Sequence, residues 1–434
     1  MSEENDERSA PVPRRRFPEF REAGQWTTVE LGNLSQLVTE KVGTSACTPY
    51  TITTGVGLVS QEEKLGRTIA GNSLRNYIVL QKNDFAYNKS ATKAYPQGFI
   101  ACYAGEERAA VPNSIFTCFR LNQDLAIPAF VDKLFSINLH GRWLRNRIAV
   151  GARAHGSLQV NDDDLMAIPV PLPSGSRALL EQQKIADCLL SLDELITAET
   201  QKLDALKTHK KGLMQQLFPC DGETVPRFRF PEFREEGEWV EEKLTNCLEK
   251  VIDYRGKAPP KSESGVPLIT AKNVRFGWLD MSCDEYIDAD EYENWMSKGT
   301  PKAGDILFTT EAPLGNVALF PRVGNFALGQ RIITLRAKSK KCLPEFLFQS
   351  LLGPQMQKEI DFHSTGSTAK GIKSTVFVDL KFFYPEIPEQ QRIADCLASL
   401  DDLITAQSQK IDALKIHKKG LMQQLFPVLD EVPA

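Results

Sequence analysis

A 39-residue segment occurs twice in this 434-residue chain, and that repeat constrains the fold more than any other feature. Residues 181–219 and 389–427 are identical at 32 of 39 aligned positions, at an offset of 208 residues. A shorter motif precedes each copy: RFPEFREAGQW at 16–26 and RFPEFREEGEW at 229–239. The stretches between the repeats are similar in length but different in sequence. Two constant segments that alternate with two variable ones predict one frame that holds two related heads.

Each copy of the 39-residue segment is predicted to be a long helix, because its apolar residues recur at spacings of three and four. The spacing is heptad-like, and both copies interrupt it at the same places with Glu199 and Lys210 or with Gln407 and Lys418. Polar residues on a coiled-coil seam fix register and partner. We therefore expect the two helices to pair, and favour this over two helices that each pack separately on a globular core. The predicted seam comprises Ile185, Leu192, Glu199, Leu206 and Leu213 in the first copy, and Ile393, Leu400, Gln407, Leu414 and Leu421 in the second.

The ends of the helices carry their own signals. Ser174 and Ser176 are candidate N-caps of the first helix, and Pro388 suits the first turn of the second. Proline follows each helix at Pro219 and Pro427. A glycine inside each helix, Gly212 or Gly420, predicts the close approach of another chain segment.

The two variable stretches read as heads of one mixed α/β (α+β) fold. Each has short β-like runs broken by Gly, Pro and Asn, then one helical segment, a polar Gly/Ser/Thr-rich loop and a last strand rich in proline. The predicted architecture is two such heads joined by an antiparallel two-helix coiled-coil spacer, with a pseudo-twofold internal repeat. The predicted boundaries are a mobile leader and the start of the first repeat at 1–25, head 1 at 26–173, a central helix at 174–219, a joint at 220–238, head 2 at 239–387, a distal helix at 388–427 and a tail at 428–434.

Composition narrows the class of protein. No apolar run is long enough to span a membrane, and the polar start of the chain lacks the apolar core of a signal peptide. The nine cysteines show no paired spacing, which favours reduced thiols and a cytoplasmic location. The net charge is −4, yet residues 40–170 hold 14 Lys+Arg against 11 Asp+Glu, and residues 252–381 hold 17 against 15. Two weakly basic heads in an acidic chain permit DNA binding without requiring it.

No catalytic or metal-binding motif stands out in either head. GSTAKGIKS at 366–374 has Ile372 where a phosphate-binding loop needs lysine, and the five histidines lack ligand spacing. The acidic run at 161–164 reads as a turn or helix cap. The sequence therefore favours a binding protein without bound cofactor or metal.

The duplicated pattern resembles the specificity subunit of type I restriction–modification systems. Each variable region is followed by a proline-rich strand and a helix that opens with EQQ(R/K)IA and continues to LD. The matching residues are Glu181, Gln182, Gln183, Ile185, Leu192 and Asp193, with Glu389, Gln390, Gln391, Ile393, Leu400 and Asp401.

The resemblance implies a non-catalytic, cytoplasmic subunit of a bacterial or archaeal complex. Each head would be a target-recognition domain that reads one half of a bipartite, asymmetric site in double-stranded DNA, and the helices would set the gap. Two methyltransferase subunits would supply S-adenosylmethionine and adenine N6 chemistry, and two motor-nuclease subunits would supply ATP and Mg²⁺ chemistry. Base edges are read by Arg, Lys, Asn and Gln, and the candidates in turns and loops are Asn88, Lys89, Lys93, Arg145, Arg153, Gln159, Lys272, Asn273, Arg275, Gln330, Arg331, Lys370 and Lys373.

Three alternatives remain at this point. The chain could serve another DNA-modification or phage-defence complex, which nothing in its sequence would distinguish. It could be a scaffold with two protein-binding heads, which would show no salt-dependent affinity for DNA. An autonomous DNA-modifying enzyme is disfavoured by the missing catalytic motifs.

Overall fold

The computed structural model of the protein describes residues 12–53, 56–150, 158–220, 222–254, 258–282, 284–366 and 369–427. The chain forms two compact units, a first unit of residues 1–199 and 410–434 and a second unit of residues 200–409. Through residue 217 the elements are β1 (Trp26–Glu30), α1 (Leu31–Leu34), β2 (Ser35–Leu37), β3 (Thr48–Thr53), β4 (Gly57–Ser60), α2 (Gln61–Leu65), β5 (Ile78–Leu80), β6 (Asp84–Asn88), β7 (Phe99–Cys102), β8 (Ala109–Val111), β9 (Phe116–Leu121), α3 (Pro128–Ser136), α4 (Leu139–Leu144), β10 (Ala149–Val150), β11 (Leu158–Gln159), α5 (Asp162–Met166), β12 (Pro169–Pro173) and α6 (Ala178–Leu217), with 3-10 turns at Pro18–Phe20 and Gly71–Asn76.

The second half of the chain has a similar order of elements. It contains β13 (Val240–Lys243), β14 (Leu248–Asp253), β15 (Lys261–Ser262), β16 (Val266–Ile269), β17 (Tyr286–Ile287), α7 (Tyr292–Trp295), β18 (Ile306–Thr309), β19 (Val317–Leu319), β20 (Ala327–Leu328), β21 (Ile332–Ala337), α8 (Pro344–Leu352), α9 (Pro354–Phe362), α10 (Ser374–Val378), β22 (Lys381–Tyr384) and α11 (Ile387–Leu425), with 3-10 turns at Pro231–Phe233, Leu244–Cys247 and Met296–Lys298.

The two heads share the topology of their main sheet, and their second sheets differ at the edge strands β5 and β15. Head 1 has an antiparallel sheet of order β2-β9-β6-β7, and head 2 has its counterpart, β14-β21-β18-β19. A second sheet in each, β4-β3-β8-β5 or β15-β17-β16-β20, contains one parallel pair, β3 with β8 or β16 with β20. The first and last strands of each head pair antiparallel, β1 with β12 and β13 with β22. The predicted mixed α/β fold, common to both heads, is confirmed.

The strands that were predicted most clearly are the buried central ones. β9 and β21 are rich in β-branched and aromatic residues, which suit a pleated surface, and nearly all of their residues are buried. The sequence reading missed β6, although its residues through Tyr87 are buried too. The predicted single helical segment of each head was wrong, because both are interrupted. Asn138 adopts a left-handed φ of 62° between α3 and α4, and Gly353 with Pro354 separates α8 from α9.

One joint motif fastens each head to a long helix. Arg16, from the first RFPEF copy, donates from Nε and Nη2 to the Glu181 carboxylate at 2.6 and 2.5 Å. Arg229, from the second copy, makes the same paired bonds to Glu389 at 2.8 and 2.6 Å. These are bidentate charge-assisted bonds, the strong class of hydrogen bond. The first residue of EQQ is therefore an anchor for the preceding RFPEF segment.

The second residue of EQQ anchors the helix that follows the head sheet. Gln182 accepts from the backbone N–H of Ile127 at 2.8 Å, one residue before α3. Gln390 accepts from that of Leu343 at 2.8 Å, one residue before α8. Both glutamine side chains are buried. Each satisfies a backbone donor at a helix start, which an apolar residue could not do.

Within each unit, the N-terminal part of one long helix lies antiparallel to the C-terminal part of the other. In the first unit Asp193 pairs with Lys418 and Glu199 with Lys410 at 2.5 Å. The second unit pairs Lys210 with Asp401 at 2.6 Å. Lys418 and Lys210 are repeat equivalents, as are Asp193 and Asp401. The polar seam lysines are thus partnered by the aspartate of the LD motif.

The apolar seam is buried most deeply where the long helices enter the head cores. Ile185 and Leu189 pack with Leu425 and Phe426 in the core of the first unit. Ile393 and Leu397 pack with Leu217 and Phe218 in the core of the second. Full burial of one such side chain contributes about 1.5–3 kcal/mol. Leu192, Leu206, Leu213, Leu400, Leu414 and Leu421 are half-buried, and Gln407 is buried.

The predicted N-caps and the predicted contacts of the helix glycines differ from the structure, whereas the predicted first-turn proline agrees with it. Ser174 and Ser176 precede the helix start at Ala178 without capping it, and the Ser174 hydroxyl donates to the carbonyl of Gln25. Pro388 occupies the first turn of α11, as predicted. A Cβ atom added to Gly212 or Gly420 would meet nothing within 4 Å in the described parts of the chain. The predicted close approach at these glycines is therefore not made by any described part of this chain.

Candidate nucleic-acid interface

Head 1 presents its predicted DNA-reading residues around the β6–β7 loop and α4. Lys93 is exposed in that loop and Arg145 is exposed at the end of α4. Gln159 is exposed on β11, whose Leu158 amide donates to the Lys89 carbonyl at 2.7 Å. The side chains of Lys93, Arg145 and Gln159 make no hydrogen bond or ion pair within the described parts of the chain. All three are therefore accessible to a ligand.

The other candidates of head 1 are more constrained. The Asn88 side chain accepts from the Ser90 amide at 3.0 Å and shapes the start of the loop. Lys89 lies 4.0 Å from Asp162 with its side chain 23% exposed. Arg153 lies outside the described residues. The acidic run nearby acts as expected of a cap, since Asn161 accepts from the Asp164 amide at 2.6 Å at the start of α5.

Head 2 presents a different surface. Lys373 is exposed just before α10, and Gln330 is half-buried at the turn after β20. Arg331 pairs with Glu311 at 3.3 Å, with both side chains half exposed, and exposed Lys370 pairs with Asp361. Exposed pairs of this kind contribute about 0–1 kcal/mol. Both cations can therefore exchange a carboxylate for a phosphate at little cost.

A hairpin after β16 holds the remaining candidates. Lys272 lies 3.5 Å from Glu285, and Arg275 lies 3.3 Å from Asp280. The Lys261 ammonium, 2.8 Å from Glu285 Oε2, is the largest influence that lowers the pKa of Glu285, so this carboxylate stays charged beside Lys272. Phe276 and Trp278 at the hairpin tip are 54% and 57% exposed. The sequence reading overlooked these aromatics, although exposed aromatic rings beside cations are typical of nucleic-acid and partner surfaces.

Asn273 has a structural role in that hairpin. Its side chain is 7% exposed. It accepts from the amide and hydroxyl of Thr270, both at 2.9 Å, and donates to the Asp280 carbonyl at 3.2 Å. A side chain so engaged holds the turn together, and its placement disfavours direct contact with a base.

The structure also brings together cations that the sequence reading did not select. In the first unit Arg14, Arg142, Lys415 and Lys419 line one cavity of about 940 Å³ with Tyr95. Lys415 and Lys419 belong to the repeated helix, and Arg142 to α4. The helical spacing of Lys415 and Lys419 was readable from the sequence. Their proximity to Arg142 was not, because it depends on how head 1 packs on α11.

The described residues hold no group of three or more His, Cys, Asp or Glu side chains arranged for a metal ion. No helix in the described ranges is long and apolar enough to cross a membrane. All eight described cysteines lie at least partly buried, and none of them forms a disulfide.

Comparison with known proteins points to one family. Residues 239–415 match the family model described as the type I restriction modification DNA specificity domain. The type I restriction enzyme MjaVIII specificity subunit of Methanocaldococcus jannaschii is 26% identical over 330 residues, which cover 71% of this chain and 72% of that protein. The putative type I restriction enzyme MjaX specificity subunit of the same organism is 28% identical over 337 residues, which cover 76% and 74%.

Solved structures agree at the level of the fold. The S subunit of a type I restriction-modification system from M. genitalium superposes with a TM-score of 0.56 and 13% identity, covering 96% of this chain and all of that one (100%). A chain from a structure that addresses complex assembly of the type I R-M system gives a TM-score of 0.54 and 17% identity, covering 94% and 98%. At these identities the likeness shows the fold alone.

Proposed function

The chain belongs to the specificity-subunit family of type I restriction–modification systems, and on that premise we propose that it reads a bipartite, asymmetric DNA sequence. Head 1 reads one half-site and head 2 reads the other. The paired helices act as the spacer that sets the gap between them. The chain itself performs no catalysis and directs partner subunits to the site.

One observation carries this proposal: the joints that hold the heads are repeated, while the solvent-facing loops of the heads are not. The Arg16–Glu181 and Arg229–Glu389 joints have matching geometry. The exposed cations of the heads, such as Lys93 and Lys373, occupy unrelated loops. Equivalent mounting with different surfaces supports two readers of different half-sites on one frame.

The frame also offers equivalent surfaces to partner subunits. Leu195 and Leu403 are repeat equivalents on the long helices, and they are 41% and 54% exposed. Apolar side chains at matching exposed positions support docking of two copies of one partner, which we propose to be the methyltransferase subunit. That partner would carry S-adenosylmethionine, and two motor-nuclease subunits would carry ATP and Mg²⁺. Changing Leu195 to Asp should weaken the binding of one methyltransferase copy, and changing both leucines should weaken both, as read from the mass of the purified complex.

The decisive experiment is a base-resolution methylome of the host with and without this gene. We expect N6-methyladenine to disappear from one bipartite motif when the gene is removed, and the motif reports both half-sites. Exchange of head 2 alone for that of another specificity subunit should change one half-site and leave the other. Unchanged methylation in a host that expresses the partner methyltransferase would overturn the proposal.

A second experiment tests the spacer. Seven residues inserted after Glu199 and seven after Gln409 lengthen both helices where the two units divide, so the antiparallel partners stay in step. Seven residues correspond to about 10.5 Å of helix, the length of roughly three base pairs. We expect the gap between the half-sites to lengthen while both half-site sequences stay the same. Altered half-site sequences with an unchanged gap would contradict the spacer role.

A further inference from the structure

Each unit contains a cavity, and one wall of each cavity is formed by the repeated segment of a long helix. In the first unit, Lys415, Lys418 and Lys419 of α11 line a cavity of about 940 Å³. In the second unit, their repeat equivalents Lys207, Lys210 and Lys211 of α6 line a cavity of about 980 Å³. The lysines of the two helix walls are therefore matched, and the main differences between the cavities come from the heads.

The head wall of the first cavity adds positive charge. Arg142 of α4 and Arg14 both line it. The acidic residue that lines it, Asp193, is already paired with Lys418 and lies 3.1 Å from Lys133. Arg14, Arg142, Lys415 and Lys419 are exposed, and none has an ion-pair partner among the residues that the structure describes. Four uncompensated cations thus converge on one concave surface.

The head wall of the second cavity is of a different kind. Phe276, Trp278 and Leu352 of head 2 line it, and Glu345 of α8 adds negative charge. Asp402 of α11 adds a second carboxylate from the helix wall, and together the two offset Lys207 and Lys211. Lys210 is paired with Asp401 at 2.6 Å. An anion would meet an electrically balanced, largely apolar surface there.

The first cavity also adjoins the predicted reading surface of head 1. Ala94 and Tyr95, which line it, directly follow the candidate reader Lys93 in the β6–β7 loop. Arg142 lies one helical turn before the candidate reader Arg145. DNA held by Lys93 and Arg145 would therefore bring its sugar–phosphate backbone to the cavity.

We propose that this cavity binds backbone phosphates of the DNA beside the half-site read by head 1, and that its counterpart in the second unit does not. The contact is independent of base sequence, because phosphates carry no sequence information. It positions head 1 on the duplex and makes the binding of the two half-sites electrostatically unequal. This inference rests on the proposed DNA-reading function.

The test uses the full chain and a duplex that carries its methylation motif. Affinity is measured over a series of salt concentrations for the wild type, for K415Q/K419Q and for the repeat-equivalent control K207Q/K211Q. Each neutralised phosphate contributes about 0.9 to the slope of log affinity against log salt concentration. We expect the slope to fall by about two in K415Q/K419Q and to stay unchanged in the control. R142Q should lower it by about one.

The ratio of affinities for target and scrambled duplexes separates the possible results. Wild-type specificity should be retained in K415Q/K419Q, because only backbone contacts are lost. An unchanged slope in K415Q/K419Q, or an equal fall in both double variants, overturns the phosphate site while leaving the reading function intact. Loss of partner-subunit binding with an unchanged slope would also overturn it, since the cavity would then accept an acidic protein segment. A wild-type chain that shows no preference for the target in complex with its partners would overturn the reading function itself.

Discussion

The two units use the same arginine–glutamate pair to join the head to the long helix, whereas their cavities are lined by different types of side chain. Arg16 with Glu181 and Arg229 with Glu389 make the same paired hydrogen bonds. The first cavity nevertheless gathers cations from its head, and the second gathers aromatic rings. Where a segment holds the fold together, duplication has kept its residues. Where loops and helices of the heads line a cavity, the two halves differ in sequence.

Even the joints are not equal. Trp26 donates from Nε1 to the Glu181 carboxylate at 3.3 Å. Trp239, its repeat equivalent, is also buried, but its Nε1 has no hydrogen-bond partner among the described residues. The Arg229 and Glu389 side chains are 8% and 2% exposed, against 15% and 1% for Arg16 and Glu181. Arg229 is less exposed to water than Arg16, so loss of its ion pair should lower the free energy of unfolding by more.

The largest expected effect comes from breaking that second joint. Glu389→Gln leaves the Arg229 guanidinium buried without its counter-charge, which costs about 3–5 kcal/mol. Glu181→Gln should cost less, because water can reach Arg16. Hydrogen exchange resolved by peptide should show loss of protection in the second unit for E389Q and a weaker loss in the first unit for E181Q. Glu235→Gln, at an exposed position of the same repeat, serves as the control. Equal losses for the two joint variants would show that the difference in exposure has no consequence.

A pH titration should distinguish the two units next. His140 is fully buried in head 1 and its Nε2 lies 3.1 Å from the Gly98 carbonyl. Burial lowers the pKa of His140 from 6.5 to about 4. The unfolded chain therefore binds a proton between these values that the folded chain does not, and stability falls as pH drops through this window. The loss approaches about 3 kcal/mol at pH 4, from 1.36 kcal/mol per pKa unit.

The second unit lacks this liability in its described residues, since His209 and His363 are exposed. Hydrogen exchange at pH 7 and pH 5, corrected for intrinsic rates, should show the first unit losing more protection than the second. His140→Gln should flatten the pH dependence of the first unit, whatever it does to stability at pH 7. A slope that persists in H140Q would assign the effect to other groups.

The smallest expected effect concerns the ion pairs between the long helices. The Lys210 side chain is 12% exposed and Asp401 is 40% exposed, so their coupling is worth about 0.5–1 kcal/mol. Lys210→Asp and Asp401→Lys should each destabilise the second unit, and the charge-swapped double variant should recover part of the loss. The same cycle on Lys418 and Asp193 should recover less in the first unit, because Asp193→Lys also replaces the ion pair with Lys133 by a like-charge contact. If the swapped variants recover nothing, the pairs have no part in setting the register.

Much of the frame was predictable because it rests on local periodicity. The spacing of Ile185, Leu189 and their repeat equivalents defines a helix stripe regardless of what packs on it. The interruption of the stripe at Lys210 and Lys418 indicated that these positions select a partner. The partners of Lys210 and Lys418 are Asp401 and Asp193. They could not be predicted, because they depend on the antiparallel alignment of segments about 190 and 225 residues apart.

The heads were less predictable in detail. The buried strands β9 and β21 were found from their composition, but the break at Asn138 was missed, because a left-handed residue has only a weak signal in sequence. Asn273 was selected as a DNA-reading candidate because an asparagine side chain in a turn can form hydrogen bonds either with a ligand or with the turn itself. Only its contacts with Thr270 and Asp280 assign it to the turn.

The duplicated frame, the two divergent heads and the family resemblance were all readable before folding, since they are properties of order and spacing along the chain. What the repeated residues do depends on contacts that only the folded chain makes. EQQ became an anchor because its Glu and Gln meet Arg16 or Arg229 and a helix start far away in sequence. The basic cavity exists because α4 packs beside α11, and charges distant along a chain sum into one field only when folding brings them together.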